Sequence, residues 1–511
     1  GLNYYDLPLD LASIVQEWVG DISIKPVTET PDHFSFNSMA RTVHRGEDYL
    51  FGISKSSKRI ATYELTNGQN PKGWYTGDGM TYLYTNDLGQ YTDNFWATVN
   101  WHRLPGTTVV QRERFSSEYQ HGDGERTPEN SYAGGSKLGD IGIAGMNLKQ
   151  IGTDLSANKS WFMLNDVIVA LGSGINSTDN KPVETIVEQR KLLKDNSNEL
   201  TIDGELKTGM FTEETLENPN WIHLEGNAAN SGIGYVFLDD QPMKIERAEQ
   251  EGRWSDITVN MPQTELVKEN YITMSFDHGT NQTDAKYEYV LMPNATKEST
   301  ERFAAKPSIQ VLENSTNVHA VREKHANITG INYWKDEPVQ VSWITENESN
   351  RSIISNQKAS VIVSEKDGVM EIAVSDPTLE NNGTIELEMD IESDYLDVIQ
   401  KDSEVEILQL SPTLKIKANV AESFGKTFTI SLQLEPEAGE PGEGGEDGDD
   451  TEIPDKCNEK PGKGNENPGK GDEKPGKGNK KSGKCEEKPG KGNEEPGNDN
   501  RGFSKGLQTK S

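Results

Sequence analysis

Hydrophobic and polar positions in this chain alternate with a period of two over most of its length, and follow a helical period only near the start. In the segment LDLASIVQEWVGD, Leu11, Ile14 and Trp18 fall on one face of a helix. Asp10 is in position to cap the first turn of that helix. We therefore expect one short helix within a linker that covers residues 1–30, and strands after it.

The central part of the chain consists of strand signals that continue to about Pro293. The segment SWFMLNDVIVALGSGI predicts a hairpin, because two apolar runs flank Asn165-Asp166, a pair that tolerates left-handed backbone angles. YITMSFDHGT and KYEYVLMP are predicted strands separated by a polar loop. Because almost no helical pattern interrupts this region, we expect residues 31–305 to form large stacked antiparallel sheets.

A second block of strands, residues 306–435, has a stricter alternation. ASVIVSEKDGVMEIAVSDP predicts a hairpin that turns at Lys366-Asp367-Gly368. GTIELEMDI, TLKIKANV and TFTISLQL alternate apolar and polar residues, which is typical of strands with one buried face and one solvated face. The second block is therefore predicted to be a smaller β-sandwich, and the fold class of the chain is all-β.

The composition changes again in residues 436–511. Every charged residue from Glu435 to Asp455 is acidic, and EKPGKGNE-like units repeat after it. A segment of proline, glycine and charge cannot bury a core, so we expect a disordered tail that acts as a spacer, with cell-wall association as one version of that role. Cys457 and Cys485 both lie in this tail, where they could close a loop or remain free thiols.

The charge balance excludes several classes of partner. The chain has 51 Lys and Arg against 84 Asp and Glu, a formal net charge of −33, which argues against broad binding to nucleic acid or anionic membrane. No apolar run approaches about 18 residues, so no membrane span is predicted. Because the sequence begins at Gly1, without a methionine or an apolar leader, we expect a mature or truncated product.

The segment YELTNGQNPKGWYTGDGMTYLY, Tyr63 to Tyr84, concentrates aromatic, amide and glycine residues. Amides beside aromatic faces suit sugars, whose hydroxyls need donors and acceptors and whose C–H faces stack on rings. The alternative is a glycine-rich β corner with buried aromatics. Residues 41–72 also carry six basic and three acidic residues, which predicts either an attractive patch for an anionic ligand or an ordinary solvated strand face.

The stretch from Asn37 to Val109, which contains NGQNPKGWYTGDGMTYLY, closely resembles polysaccharide lyase family 8, the family of hyaluronate, chondroitin AC and xanthan lyases. The resemblance continues through YAGGSKLGDIGIAGMNLKQI, KSWFMLNDVIVALGSGINSTDNKPVETIVEQR and FDHGTNQTDAKYEYVLMP. It implies a galactose-mutarotase-like β supersandwich in residues 31–305, followed by the family's small C-terminal sandwich. It also implies an extracellular enzyme, secreted or associated with the cell wall, that cleaves uronate-containing polysaccharide by β-elimination.

The same resemblance implies an N-terminal α/α toroid that carries the catalytic Asn, His, Tyr and Arg, and this sequence starts at what looks like the linker leaving it. The toroid is therefore an expected partner, and the chain alone is expected to be inactive. In YELTN, Glu64 and Asn67 match a Glu and an Asn that the family projects toward the toroid. The resemblance implies that Glu64 positions the catalytic group and that Asn67 contacts the bound sugar. A purely structural carboxylate is the alternative for Glu64.

The substrate and cofactor are less defined by sequence. Hyaluronan or chondroitin is the first choice of anionic polysaccharide, and xanthan is the main alternative. A non-catalytic carbohydrate-binding surface protein and a structural wall-associated β protein are the other hypotheses. Asp87 and Asp93 are candidate oxygen ligands for calcium, but their spacing is not that of an EF-hand, and we assign no metal or other cofactor.

Overall fold

The computed structural model describes residues 8–21, 30–115, 127–260, 263–345, 348–391 and 396–434. The tail predicted for residues 436–511, with its two cysteines, lies outside the described residues. The helices are α1 (Leu9–Gly20), α2 (Phe95–Thr98) and α3 (Lys297–Ala305). The strands, in chain order, are β1 (Asp32–Phe36), β2 (Arg41–Gly46), β3 (Tyr49–Ser54), β4 (Met80–Tyr84), β5 (Thr108–Val110), β6 (Ala133–Leu138), β7 (Ile141–Lys149), β8 (Ser156–Leu164), β9 (Val167–Asn176), β10 (Pro182–Lys191), β11 (Leu200–Ile202), β12 (Glu205–Lys207), β13 (Phe211–Leu216), β14 (Trp221–Leu224), β15 (Ile233–Phe237), β16 (Met243–Gly252), β17 (Val267–Thr280), β18 (Ala285–Pro293), β19 (Ile309–Asn314), β20 (Val318–Glu323), β21 (Ile328–Tyr333), β22 (Val339–Ile344), β23 (Asn350–Ser355), β24 (Ala359–Lys366), β25 (Val369–Ser375), β26 (Thr384–Asp390), β27 (Asp397–Lys401), β28 (Val405–Gln409), β29 (Leu414–Asn419) and β30 (Phe428–Gln433).

These strands form five sheets in the described part of the chain, which confirms the all-β prediction. Three sheets build the large N-terminal part, with four strands (β1-β2-β3-β4), five strands (β13-β16-β17-β10-β5) and nine strands (β12-β11-β14-β15-β18-β9-β8-β7-β6). A seven-stranded sheet (β19-β20-β21-β24-β25-β30-β27) and a five-stranded sheet (β22-β23-β26-β29-β28) form the C-terminal sandwich. No helix within the described residues has the length and apolar character needed to cross a bilayer.

Both predicted hairpins are present. β8 and β9 pair antiparallel around a turn in which Asn165 has a positive φ of 52°. β24 and β25 pair around Asp367 (φ 52°) and Gly368 (φ 76°), and Lys366 is the last strand residue. The two strands on either side of the 281–284 loop do not pair with each other. β17 joins the five-stranded sheet of the N-terminal part, and β18 joins the nine-stranded sheet.

Strand β8 explains why parts of the sequence are apolar without alternation. Trp161 and Met163 pack into the core that also contains Met274 of the five-stranded sheet. Phe162, one residue away on the opposite face, packs with Ile362 of the C-terminal sandwich. A strand that is buried on both faces reads as a continuous hydrophobic run. The central strands of the nine-stranded sheet therefore lie between two hydrophobic cores.

The N-terminal helix begins two residues earlier than the capping prediction requires. α1 starts at Leu9 after Pro8, so Asp10 lies in its first turn, and no side chain caps the helix. The prediction that Asp10 caps α1 is therefore wrong. Its apolar face is open, since Leu9 is 88% exposed and Trp18 is 63% exposed.

Candidate active-site face

The segment singled out by sequence, Tyr63 to Tyr84, lies mostly in a long connection between two paired strands. β3 ends at Ser54 and β4 begins at Met80, and these two residues are opposite each other in the ladder. The amide of Gly79 also donates to the carbonyl of Ser54, at 3.0 Å. The connection therefore leaves and re-enters the sheet at the same place. Residues 55–79 form a closed loop, which we call the excursion.

All three aromatic residues of this excursion are buried. Tyr63, Trp74 and Tyr75 are at most 6% exposed, and they pack with Phe95 and Trp101 in a hydrophobic cluster. The indole Nε1 of Trp74 donates to the carbonyl of Phe115, at 3.3 Å. These aromatic rings are therefore core residues of a glycine-rich corner, which is the second of the two sequence interpretations.

The corner depends on glycine at a close backbone approach. A Cβ atom added at Gly77 would lie 2.2 Å from the carbonyl oxygen of Thr62. No side chain fits at such a distance, because the neighbour is backbone and cannot rotate away. The glycine at 77 thus lets the end of the excursion pack against its beginning.

The excursion contains an exposed two-residue turn at the predicted site. Asn67 and Gly68 have φ values of 52° and 71°, and the amide of Gln69 donates to the carbonyl of Thr66, at 2.8 Å. An Asn-Gly pair with both residues left-handed is the preferred composition of a type I′ turn. Asn67 is therefore suited to its backbone position, whatever its side chain contacts.

This turn is fastened to a distant segment of the chain. Gln69 forms an isolated bridge with Thr258, and the Thr258 hydroxyl donates to the Gln69 side-chain oxygen. The amide of Asn70 donates to the carbonyl of Ile257, at 3.0 Å, and the Asn70 side chain donates to the carbonyl of Glu64, at 3.1 Å. The backbone from Glu64 to Asn70 is thus held at both ends.

The predicted site residues Glu64 and Asn67 are both exposed on this fixed loop. Among the described residues, nothing forms an ion pair or side-chain hydrogen bond with Glu64. Their placement leaves both side chains available to groups outside the described residues.

A groove with a volume of about 1050 Å³ lies beside the loop. Gln69, Asn70 and Thr258 contribute polar groups to its lining. Its apolar walls include Phe36, Met39, Tyr82, Tyr84, Trp96, Trp101 and Trp254. Phe36 and Met39 are about half exposed, at 46% and 56%, so the groove has a broad, open apolar side.

Sequence reasoning missed most of this groove. Trp96 and Trp101 occur in NFWATVNW, which begins ten residues after Tyr84, and their rings lie 5.6 Å apart. The high density of aromatic residues in this segment was a usable sequence signal. Trp254 gave no such signal, because the extended β16 and β17 bring residues 254–260 back to the loop from far along the sequence.

The basic residues of 41–72 do not form one patch. Lys55 is buried and donates to the Thr42 hydroxyl at 2.6 Å, and burial, with Arg41 and Arg59 nearby, lowers the pKa of Lys55 to about 7. Arg59 donates to the carbonyls of Ser131 and Thr378, each at 2.7 Å. These cations therefore stabilise local packing, and of the six only Arg41 lines the groove.

The carboxylates considered for calcium have other contacts. Asp87 accepts hydrogen bonds from the Gly89 amide and the Asn227 side chain, each at 3.0 Å. The ammonium of Lys191 donates to the loop carbonyls of Gly89 and Thr92 and lies 3.9 Å from the Asp93 carboxylate. An internal ammonium therefore already supplies positive charge to this loop. The described residues contain no group of three or more His, Cys, Asp or Glu arranged to hold a metal.

The stacked sheets, the appended sandwich and the open groove define a multi-sheet β-sandwich protein with a cleft that combines polar groups and aromatic rings. The chain belongs to polysaccharide lyase family 8. The profile of the family's super-sandwich domain matches residues 31–304, and that of its C-terminal beta-sandwich domain matches residues 310–384.

Individual relatives agree with this assignment. A xanthan lyase of Bacillus sp. (strain GL1) is 39% identical over 443 residues, 86% of this chain and 46% of the relative. A hyaluronate lyase of Thermasporomyces composti is 33% identical over 429 residues, 83% of this chain and 52% of the relative. The chain thus spans about half the length of these relatives.

Solved structures show the same likeness. The structure of a Paenibacillus xanthan lyase superposes with a TM-score of 0.77 at 41% identity, covering 85% of this chain and 40% of that one. A chondroitin AC lyase of Streptomyces coelicolor A3 superposes with a TM-score of 0.70 at 30% identity, covering 83% and 53%.

Proposed function

We propose that this chain is the β portion of an extracellular polysaccharide lyase, and that it supplies the sugar-binding side of a cleft whose other side is a helical domain with the catalytic base. The observation that carries the proposal is the loop from Glu64 to Asn70, whose backbone is fixed at both ends while Glu64 and Asn67 remain exposed beside an aromatic-lined groove. A fixed backbone with free functional groups is what precise positioning of a reactive centre requires.

The chemistry assigned to the helical domain explains the part that Glu64 plays. In the β-elimination that the family resemblance implies, an amide and an imidazole neutralise the uronate carboxylate, and a tyrosine removes the acidified proton and returns one to the leaving oxygen. Glu64 does none of this itself. Its carboxylate accepts charge-assisted hydrogen bonds from an imidazole or guanidinium across the cleft, which fixes the orientation of that group.

The candidate substrates are uronate-containing polysaccharides. Hyaluronan and chondroitin are the first choice from the resemblance. Xanthan is a second candidate because identity is higher to the two xanthan lyases, at 39% and 41%, than to the hyaluronate lyase at 33% and the chondroitin AC lyase at 30%. Groove residues such as Trp96 and Tyr82 offer ring faces to the sugars of each polymer.

The purified chain alone is expected to show no lyase activity, because the base and the uronate-neutralising pair belong to the helical domain. The same chain joined to a helical domain from a family relative is expected to cleave at least one of hyaluronan, chondroitin and xanthan. Elimination creates a conjugated double bond, so its ultraviolet absorbance measures both reactions. Growth of this absorbance with the chain alone would contradict the division of roles.

Because Asn67 has a positive φ, its backbone role in the turn can be tested separately from a side-chain contact with the sugar. Asn67→Gly keeps the turn and removes the amide, so kcat/KM of the joined enzyme should fall by about 5- to 30-fold, the loss of one hydrogen bond to substrate. Asn165→Gly is the matched control, since Asn165 has the same φ of 52° in a turn away from the groove. Equal kcat/KM for both variants would make Asn67 a turn residue only.

A further inference from the structure

A second polar cavity lies at the junction of the super-sandwich and the C-terminal sandwich. Its volume is about 480 Å³, within the range of small-ligand sites. One wall comes from β7, β8 and β9, and the other from Thr316, Trp334 and Lys358 of the C-terminal sandwich. It shares no lining residue with the groove beside Glu64. Its chemistry therefore has to be explained separately.

The charge of this cavity is opposite to that of the whole chain. Its lining contains Lys149, Lys335 and Lys358, against one carboxylate, Glu129. Lys358 pairs with Asp336 at 2.5 Å. Lys149 and Lys335 form no ion pair with any residue that the structure describes. Two ammonium groups without an ion-pair partner among the described residues, on a chain of net charge −33, favour a bound anion.

The uncharged lining includes two amides held in fixed positions. The Asn147 side chain donates to the Asn158 side-chain oxygen at 2.6 Å, and Asn158 in turn donates to the carbonyl of Thr316 at 3.5 Å. This chain of bonds connects the two sandwiches and orients both amides. Sugar hydroxyls, which both donate and accept, are the natural complement of such a wall.

Two lining residues of the cavity each carry a buried polar atom that lacks a partner within the described residues. Trp334 is 6% exposed and Asn130 is 5% exposed, and within the described residues neither the Trp334 Nε1 nor the Asn130 Oδ1 has a hydrogen-bond partner. Buried polar groups are nearly always satisfied in native proteins, so an unpaired donor and an unpaired acceptor among the lining residues are unusual.

We propose that this cavity is a second binding site for an acidic oligosaccharide segment, in which Lys149 and Lys335 pair with its carboxylate or sulfate groups and the amides bind its hydroxyls. The choice of an acidic glycan rests on the proposed function, whereas the existence of an anion site rests on the cavity itself. A site remote from the Glu64 groove holds a second stretch of the same polymer and raises the effective concentration of substrate at the cleft.

The test is calorimetric titration of the full chain with hyaluronan and chondroitin sulfate hexasaccharides and with oligosaccharides of xanthan, and with cellohexaose as the neutral comparison. The double variant K149E/K335E is expected to weaken binding of at least one acidic oligosaccharide about tenfold or more, because two charge-assisted contacts become repulsive. The variant K181E/K366E is the matched control. It changes one exposed, unpaired lysine in each sandwich and the same total charge, and its affinity should change by about twofold or less.

Loss of fold is separated from loss of binding by the milder variant K149Q/K335Q, with thermal unfolding of every protein. An equal loss in the pocket and control variants would assign the effect to overall charge and overturn the proposal. So would the absence of pocket-dependent binding to every acidic oligosaccharide, or equal binding of cellohexaose. The proposed lyase function fails on a different result, the absence of eliminated product from the joined enzyme.

Discussion

Replacing Glu64 by alanine in the enzyme joined to its helical domain is expected to lower kcat by about a hundredfold, since misplacing a reactive group has effects of that size. The carboxylate is exposed and has no side-chain partner among the described residues, so little folding energy depends on it. The melting temperature should therefore stay close to that of the parent. Initial rates of double-bond formation at saturating substrate, together with thermal unfolding, measure the two effects.

Two further variants identify the cause of a fall in kcat. Glu64→Gln keeps the size and one acceptor oxygen but loses the charge, so it should recover only part of the rate. Glu47→Ala removes another exposed carboxylate from the same sheet, in the turn between β2 and β3, and should leave kcat unchanged. A Glu64→Ala enzyme with normal kcat and a much lower melting temperature would instead make Glu64 a structural carboxylate.

Local turn chemistry made much of the fold predictable. The Asn165-Asp166 and Asp367-Gly368 hairpins form where the sequence places residues that adopt positive φ. Pairing partners were harder to predict, because strand propensity does not specify which sheet a strand joins. β17 and β18 follow each other in sequence and enter different sheets. That choice is made by long-range packing, for example of Met274 and Tyr289 in the core they share.

The segment from Tyr63 to Tyr84 shows the same limit at the site. Its composition fits both a sugar platform and a buried corner, and the structure divides the segment between the two. Trp74 and Tyr75 turn into the core, and Glu64 and Asn67 face outward. The presence of an aromatic residue in the sequence does not indicate whether its ring is buried or exposed. The aromatic wall of the groove instead comes mainly from other segments, such as the one containing Trp254, which only the tertiary fold brings near.

Substitution of the buried Glu184 carboxylate is expected to cause the largest loss of stability. Glu184, on β10, is 1% exposed and accepts two hydrogen bonds from Arg103, at 2.9 and 3.0 Å. Gln111 donates to it at 2.7 Å and Lys244 at 3.2 Å. Glu184→Gln leaves two cations beside a neutral amide, so unfolding free energy should fall by about 3 kcal/mol, as when one partner of a buried pair is removed. Urea unfolding measures this loss.

Glu213→Gln is the matched control, because Glu213 contacts the same two cations from the outside, at 2.8 Å from Arg103 and 3.7 Å from Lys244, with its side chain 37% exposed. Its loss should be below about 1 kcal/mol, since solvent screens an exposed pair. Equal losses of unfolding free energy for both variants would show that the burial of Glu184 adds nothing to its contribution to stability. Arg103 lies two residues after Trp101, and the Gln189 side chain donates to the carbonyls of Asn100 and Arg103, which flank Trp101 in the sequence. The pair therefore stabilises the loop that presents Trp101 to the groove, so packing inside the super-sandwich maintains the shape of the candidate cleft.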